Sequence, residues 1–591
     1  GPLTYTDSSA LEDWHRATIQ GGTVNGAGAA WTYSGGHNSD LTISGGTVNG
    51  NVLSVNYGSA EGKLAKVSIT GGTVNGALDT RSYDPSTNAL TSIDDAAKAT
   101  IEVTGGTFSS DPTKYVVEDS GVTKNDDGTF GVAKAYLAKV GNTSYYTMEE
   151  AFKAQTASGE AIVLLRDYTT GSTFNSGSID RTVDLNGHTW TCTGTDANSA
   201  AFEINYPDAT LTVKNGKVVS SQLVGLIPSA MGGTIKYDNS SLEFDGVEMT
   251  TTARSGIETN GNNTNDTVTL RNSTLNVPNG FGIYFPSSGT LTIDNSVINA
   301  KTMGVQVCAG SLNISGAGTA ITVSGDGIDK TINDGAIEDG AAISIVNRTG
   351  YKGLDKIKVE GGKFTAKGDN AAVKAYSWEN QTASAFDNSK NVVAVSGGTF
   401  SSAVDKSLCA DGFIPTKNED GTYGVKEGQY VAKVGDTEYA TLQAAIDKAG
   451  RNAIVTLLAD TRENVTIKTY GLTLDLNGHT LNGGTVKGKP ALTVTARVTV
   501  KDSSAAKTGT IMREDTAENS GVSSHYVIDI QDGWLFFESG NVTNNSGVVG
   551  VKGASLVRVG DDSIAKYPGL TISGGRLTQE KFIEIKVDRG T

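Results

Sequence analysis

The sequence predicts an all-β fold: tandem parallel β-helices (β-solenoids) with short capping α-helices and β-hairpin junctions. Three observations carry that prediction. The phrase LTISGGTVNG at residues 41–50 recurs as VSITGGTVNG ending at Gly76, IEVTGGTFSS at Ser110, VAVSGGTFSS at Ser402 and LTISGGRL at Leu577. A second phrase, small–apolar–variable–apolar, runs out of phase with it through the middle of the chain. Glycine supplies 74 of the 591 residues against 10 prolines, which suits many tight turns and excludes a collagen-like or proline-rich chain.

Each part of the repeat has a physical reason. Alternation at Leu41 and Ile43, or Val67 and Ile69, sends one side chain in two inward. The pairs Gly21-Gly22, Gly45-Gly46 and Gly71-Gly72 lie one solenoid rung apart and allow positive φ at a corner. Asn49-Gly50 and Asn75-Gly76 promise further turns, with Asn in the same conformation or bonded to its own backbone.

The first phrase continues as LTVKNGKV from Leu211, LEFDGVEM from Leu242, VTLRNSTL from Val268, LTIDNSVI from Leu291 and IKVEGGKF from Ile357. The second reads AFEI from Ala201, GIET from Gly256, GIYF from Gly282, GVQV from Gly304, AISI from Ala342 and AVKA from Ala372. Two strand series out of phase imply a coil of several flat faces, in which a rung buries its apolar residues only against its neighbours. A β-sandwich array would need hairpins between long strands, and those are mostly missing.

A longer duplication lies over the short one. GGTFSSDPTKYVVEDS from Gly105 is echoed by GGTFSSAVDKSLCADG from Gly397, and both copies run on through a hairpin phrase (YLAKVGNTSYYT, YVAKVGDTEYAT) to DLNGHT at Asp184 and Asp475. A short helix follows each hairpin. Thr147 and Glu150 make a capping box for the first, with Met148, Ala151 and Phe152 on its apolar face; Thr441 repeats the cap without the Glu. The expected organisation is the C-terminal part of a first β-helix (1–110), a hairpin junction (111–145), a complete β-helix with its capping helix (146–400), a second junction (401–439) and a shorter third β-helix (440–591).

These coil phrases resemble the pectin-lyase-like superfamily, which implies right-handed coiling. AKVGDTEYATLQAAIDKA and LDLNGHTL resemble phrases of large, repetitive cell-surface proteins from gut-dwelling Gram-positive bacteria. That resemblance, confined to junctions and coil starts, implies secretion or display on the bacterial cell surface and adhesin-like or carbohydrate-related roles.

The net charge of −16, with 48 basic and 64 acidic residues and no Lys/Arg run, disfavours nucleic acid and anionic membrane as partners. No window is apolar enough to insert in a membrane. The opening Gly1-Pro2-Leu3 resembles a protease-cleavage remnant, so the absence of a signal peptide says nothing about destination. Cys192, Cys308 and Cys409 have neither zinc nor disulfide spacing. No metal or cofactor is expected: NDDG at 125–128 and NEDG at 418–421 resemble pieces of a calcium loop, but their matched places suit hairpin turns.

The superfamily resemblance calls for a search for glycosidase and lyase sites. A polygalacturonase-type site needs Asn-Thr-Asp, an Asp pair, Gly-His-Gly and Arg-x-Lys; the nearest phrase, Asn263-Thr264-Asn265-Asp266, is not followed by the others. The carboxylate cluster with an Arg base of a pectate lyase is missing too. His188 and His479, in DLNGHT, read as turn residues, and Asp184 and Asp475 as ties from side chain to backbone.

A sharper candidate is the variable position of the second phrase: Glu203, Ile227, Glu258, Tyr284, Gln306, Ser344 and Lys374, predicted as an outward column with steps of about 4.8 Å. Glu258, Tyr284 and Gln306 would grip a sugar by hydroxyl bonds and ring stacking. Were the protein an enzyme, Glu203 and Glu258, two rungs or roughly 9–10 Å apart, would be its catalytic pair. Trp31 and Tyr33 in the first coil, Tyr83 in a loop and Trp378 in the polar insertion KAYSWENQTASAFDNSK are further contacts. The reading is a binding scaffold for host or dietary glycans or host surface proteins. A β-helix glycosidase is the alternative and a passive stalk a second one.

Overall fold

The computed structural model describes residues 9–26, 28–34, 37–57, 62–156, 159–328, 335–486, 488–514, 526–545, 555–579 and 583–591. Two compact units divide the chain, one of residues 1–409 with 415–425, the other of residues 410–414 with 426–591. Both are β-solenoids in which strands of successive turns pair in parallel, as the repeat predicts.

The repeat phrases become ladders. In the first coil, Leu41, Val67 and Ile101 stand opposite one another, as do Ile19, Ile43, Ile69 and Val103. Farther on, Leu211, Leu242, Val268, Leu291, Leu312, Ile357 and Val393 form one continuous file, every member fully buried. Each such side chain contributes about 1.5–3 kcal/mol by leaving water, and none can do so without the rung above or below. The LTV-type phrases belong to one 20-stranded sheet, and the interleaved phrases belong to a separate nine-stranded one. In the second unit the faces separate into three sheets of seven, five and five strands.

The paired glycines turn out to have two different jobs. The second of each pair has positive φ (Gly46 at 78°, Gly72 at 85°), a conformation that costs any residue with a Cβ. The first lies against the rung before it. A Cβ on Gly45 would come within 2.4 Å of the Gln20 carbonyl oxygen, and one on Gly71 within 2.7 Å of that of Ser44. The asparagines of the same phrase use neither expected device. Asn49 Nδ2 donates to Asn25 Oδ1, and Asn75 Nδ2 to Asn49 Oδ1, both at 2.7 Å, so the amides stack as a ladder between rungs.

Helix α1 (Met148–Ala154) carries the capping box of Thr147 and Glu150. Helix α2 (Leu442–Lys448), capped by Thr441, finds its missing carboxylate elsewhere: Glu463 accepts the Leu442 and Gln443 N–H groups at 2.7 and 3.0 Å. In DLNGHT, Asp184 Oδ1 accepts the Asn186 N–H and Asp475 Oδ1 the Asn477 N–H, as expected of turn ties.

Candidate functional site

Strand register places the second-phrase residues in one column: Glu203, Leu226, Glu258, Tyr284, Gln306, Ser344 and Lys374. Leu226, not Ile227, occupies the second place. Gly225 stands opposite Ile257, so alternation puts Ile227 beside Thr259, fully buried.

The middle of this column is not open. Ahead of the strand Ile343–Arg348, Ala336 and Ile337 pack with Phe281, Tyr284, Met303 and Cys308. Gln306 is fully buried, its amide bonded to both the N–H and the carbonyl of Ile337. Ser344 Oγ donates to Asp339 Oδ2 at 2.6 Å, and the Tyr376 hydroxyl donates to the same oxygen at 2.8 Å. The Tyr284 hydroxyl lies 3.0 Å from that of Tyr351 and accepts from Arg348, and burial pushes this phenol far above its ordinary range. Cys308, in the same cluster, is pushed up to about 12 by burial. Tyr284 and Gln306, expected as open ligand contacts, are thus interior groups. Sequence reasoning missed the cover because the insertion has no periodicity to announce it.

Trp378 and Tyr83 are also corrected. Neither lies in a loop: Trp378 belongs to the strand Val373–Glu379, hairpinned to Thr382–Ala385, and packs half-buried against the same cluster. Tyr83 belongs to the strand Leu78–Asp84, hairpinned to Ala89–Ser92, and its hydroxyl donates to Asn88 Oδ1.

The lower end of the column keeps its carboxylates. Glu203 is half-buried, accepts from Ser199 Oγ at 3.3 Å, and is pushed up by desolvation. Glu258 is ion-paired with Arg254 at 2.9 Å and accepts from Ser255 Oγ at 2.6 Å. Leu226 lies between them, packed with Ala200 and Leu223. At one strand spacing per rung the two carboxylates are roughly 9–10 Å apart.

Asp266, last residue of the Asn-Thr-Asn-Asp phrase, is buried completely. It accepts the Ser240 N–H and the Ser287 hydroxyl, and desolvation pushes it up to about 7. Nearby, Lys352 Nζ donates to the carbonyls of Asn262 and Asn263 and to Thr264 Oγ1. The phrase runs from a turn at Asn263 into the strand Thr264–Arg271 and presents no carboxylate to solvent.

The first coil carries an aromatic strip. Trp31 stands on the outer face in line with Leu53 and Asp79, packed against Tyr33 and nearly buried. Tyr33 stacks on Trp14, with centroids 4.7 Å apart and planes 13° apart; Trp14 lies 5.4 Å from Tyr57, and Tyr57 lies 5.2 Å from Tyr83. Trp14 is 44% exposed. The expected contact Trp31 is therefore the packed floor of this strip, and Trp14, which the sequence did not single out, is its exposed ring between Tyr33 and Tyr57.

Among the described residues no group of three or more His, Cys, Asp or Glu is placed to hold a metal ion. Among them, too, no helix is long and apolar enough to cross a membrane. His188 and His479 take matching places, 3.5 and 3.6 Å from Asp167 and Asp460.

Neither a protein-family model nor a curated protein matches the chain. Among solved structures, a mutant of the PL6 family alginate lyase AlyGC aligns with 93% of this chain and 79% of its own at 10% identity. Its TM-score of 0.21 is too low for the likeness to bear on activity.

Proposed function

We propose that this protein is an extracellular scaffold that holds glycans against the outer faces of its coils, with the aromatic strip of the first coil as a contact surface. One observation carries the reading: Trp14, exposed and stacked on Tyr33, heads a run of rings that continues through Tyr57 to Tyr83. Pyranose C–H faces stack on such rings, and rigid aromatics lose little entropy on binding. Placement at a bacterial surface rests on the resemblance of the junction phrases. A glycan array on the whole chain tests the reading. Saturable binding should weaken about tenfold in Trp14→Ala and in Tyr57→Ala, the loss of one stacked ring. An array without saturable binding, or binding indifferent to both changes, sinks it.

A glycoside hydrolase is the second reading, favoured by the unlike surroundings of two carboxylates on one file. Glu203, raised by burial, would protonate the leaving oxygen, and Glu258, ion-paired with Arg254, would activate water across a separation at the far edge of the inverting range. Reducing-sugar release from any bound glycan, lost in both Glu203→Gln and Glu258→Gln, is its signature. Binding without turnover removes it.

A further inference from the structure

We infer that the second unit carries a saccharide site of its own, built on Trp534 and selective for sugars that bear a carboxylate. The strands Leu472–Asp475, Arg497–Lys501, Trp534–Phe537 and Gly569–Ile572 lie side by side. Their register puts Arg497, Trp534 and Gly569 in one file and Thr499, Phe536 and Thr571 in the next. A groove of about 550 Å³ opens there, lined by Tyr470, Arg497, Asp532, Trp534 and Phe536 among others. That is the size of a small-ligand cleft.

The platform is held rigid before any ligand arrives. Trp534 Nε1 donates to Thr571 Oγ1 at 2.8 Å. Its indole lies directly over Gly569, where a Cβ would come within 2.4 Å of the ring. Gly569 does not have positive φ, so the reason for glycine here is the ring above it. Phe536 extends the surface, 6.2 Å away and tilted by 26°. Tyr470 and Trp534 are 47% and 36% exposed. Rings fixed in this way give apolar contact at small entropic cost.

Charge narrows the ligand class. The Arg497 guanidinium sits 4.9 Å from the Phe536 centroid, and that of Arg451 sits 4.9 Å from the Tyr470 centroid. Among the described residues neither has a carboxylate partner, on a chain of net charge −16. Asp532, the acid of the groove, is already met by Lys566 at 3.4 Å. A guanidinium beside an aromatic platform matches a pyranose whose ring stacks while its carboxylate takes the fork. A neutral sugar would leave that fork unused.

The test is calorimetric titration of the full chain with trigalacturonate and with 3′-sialyllactose, set against maltotriose and lactose. At least one acidic probe should bind saturably and more tightly than its neutral counterpart. Arg497→Gln should weaken it about tenfold or more, the scale of a charge-assisted bidentate contact, and added salt should weaken it too. Trp534→Ala should abolish the preference for the acidic probe; Tyr470→Ala, on an exposed turn, gives a second readout should the first variant misfold. Gly21→Ala, outside both aromatic surfaces and with open space for the added methyl, should leave this binding unchanged. The inference is overturned if neither acidic probe binds, if neutral probes bind equally well, or if Arg497→Gln has no effect.

Discussion

Gln306 and Ile337 are joined by two hydrogen bonds, Gln306 Nε2 to the Ile337 carbonyl at 2.7 Å and the Ile337 N–H to Gln306 Oε1 at 2.8 Å. The side-chain amide stands in for a neighbouring strand, offering one donor and one acceptor to a backbone that has left its rung. It clips the insertion over the outer face and keeps Tyr284, Met303 and Cys308 dry.

Gln306→Ala strands both backbone groups of Ile337. The expected cost is about 2–3 kcal/mol, read from chemical denaturation. Thiol labelling followed by mass spectrometry should show Cys308 reacting faster than in the parent protein, with Cys192 unchanged. Equal Cys308 labelling rates would mean that the clip does not hold the cover.

Asp266 makes stability depend on pH in an unusual direction for a carboxyl. The folded protein keeps this proton up to about pH 7, while the unfolded chain releases it near 3.8. Between those values the unfolded state binds fewer protons, so the Asp266 contribution falls as pH rises and levels off above 7. Asp266→Asn keeps the Ser240 and Ser287 partners without the charge. Its Tm should exceed that of the parent at pH 8 and match it near pH 4; a lower Tm at pH 8 would refute this account.

The glycine pairs give a position-dependent prediction. Gly71→Ala forces a Cβ against the Ser44 carbonyl and should cost about 1–3 kcal/mol, with refolding yield and Tm as measures. Gly21 holds the same place in the repeat but has nothing within 4 Å of a built Cβ, and no positive φ. Gly21→Ala should be neutral. Equal effects at both sites would mean that contact with the preceding rung is not what selects glycine.

Glu463→Ala removes the acceptor for two N–H groups at the start of α2, leaving Thr441 as the remaining side-chain cap. A loss of about 1–2 kcal/mol is expected. Hydrogen exchange at Leu442 and Gln443 should speed up first, and Glu463→Gln should restore part of the protection.

The sequence reveals repeats more readily than it reveals departures from them. Leu41, Val67 and Ile101 were legible as a buried file because alternation and the glycine pair recur together. The outer column was legible too, except that a one-residue offset put Ile227 where Leu226 stands. What could not be read is what lies over a face. Gln306 looks like any exposed variable residue until Ile337 comes to meet it, and no pattern within 324–342 announces that approach. Trp534 and Phe536 did leave a signal, since they alternate with buried Leu535 and Phe537 as Trp31 and Tyr33 alternate with Thr32. Rings at every second position mark an outer face in both units, a signal read from Trp31 and Tyr33 alone.

The amide ladder from Asn25 through Asn49 to Asn75 joins residues 24 and 26 apart, each Oδ1 accepting from the Nδ2 of the next member. Any cut between turns therefore exposes two surfaces that fit each other again. Genes encoding such chains can gain or lose whole turns by unequal recombination, with no new packing problem to solve at the seam. Reach could then change over generations while the chemistry on the outside stays as it was.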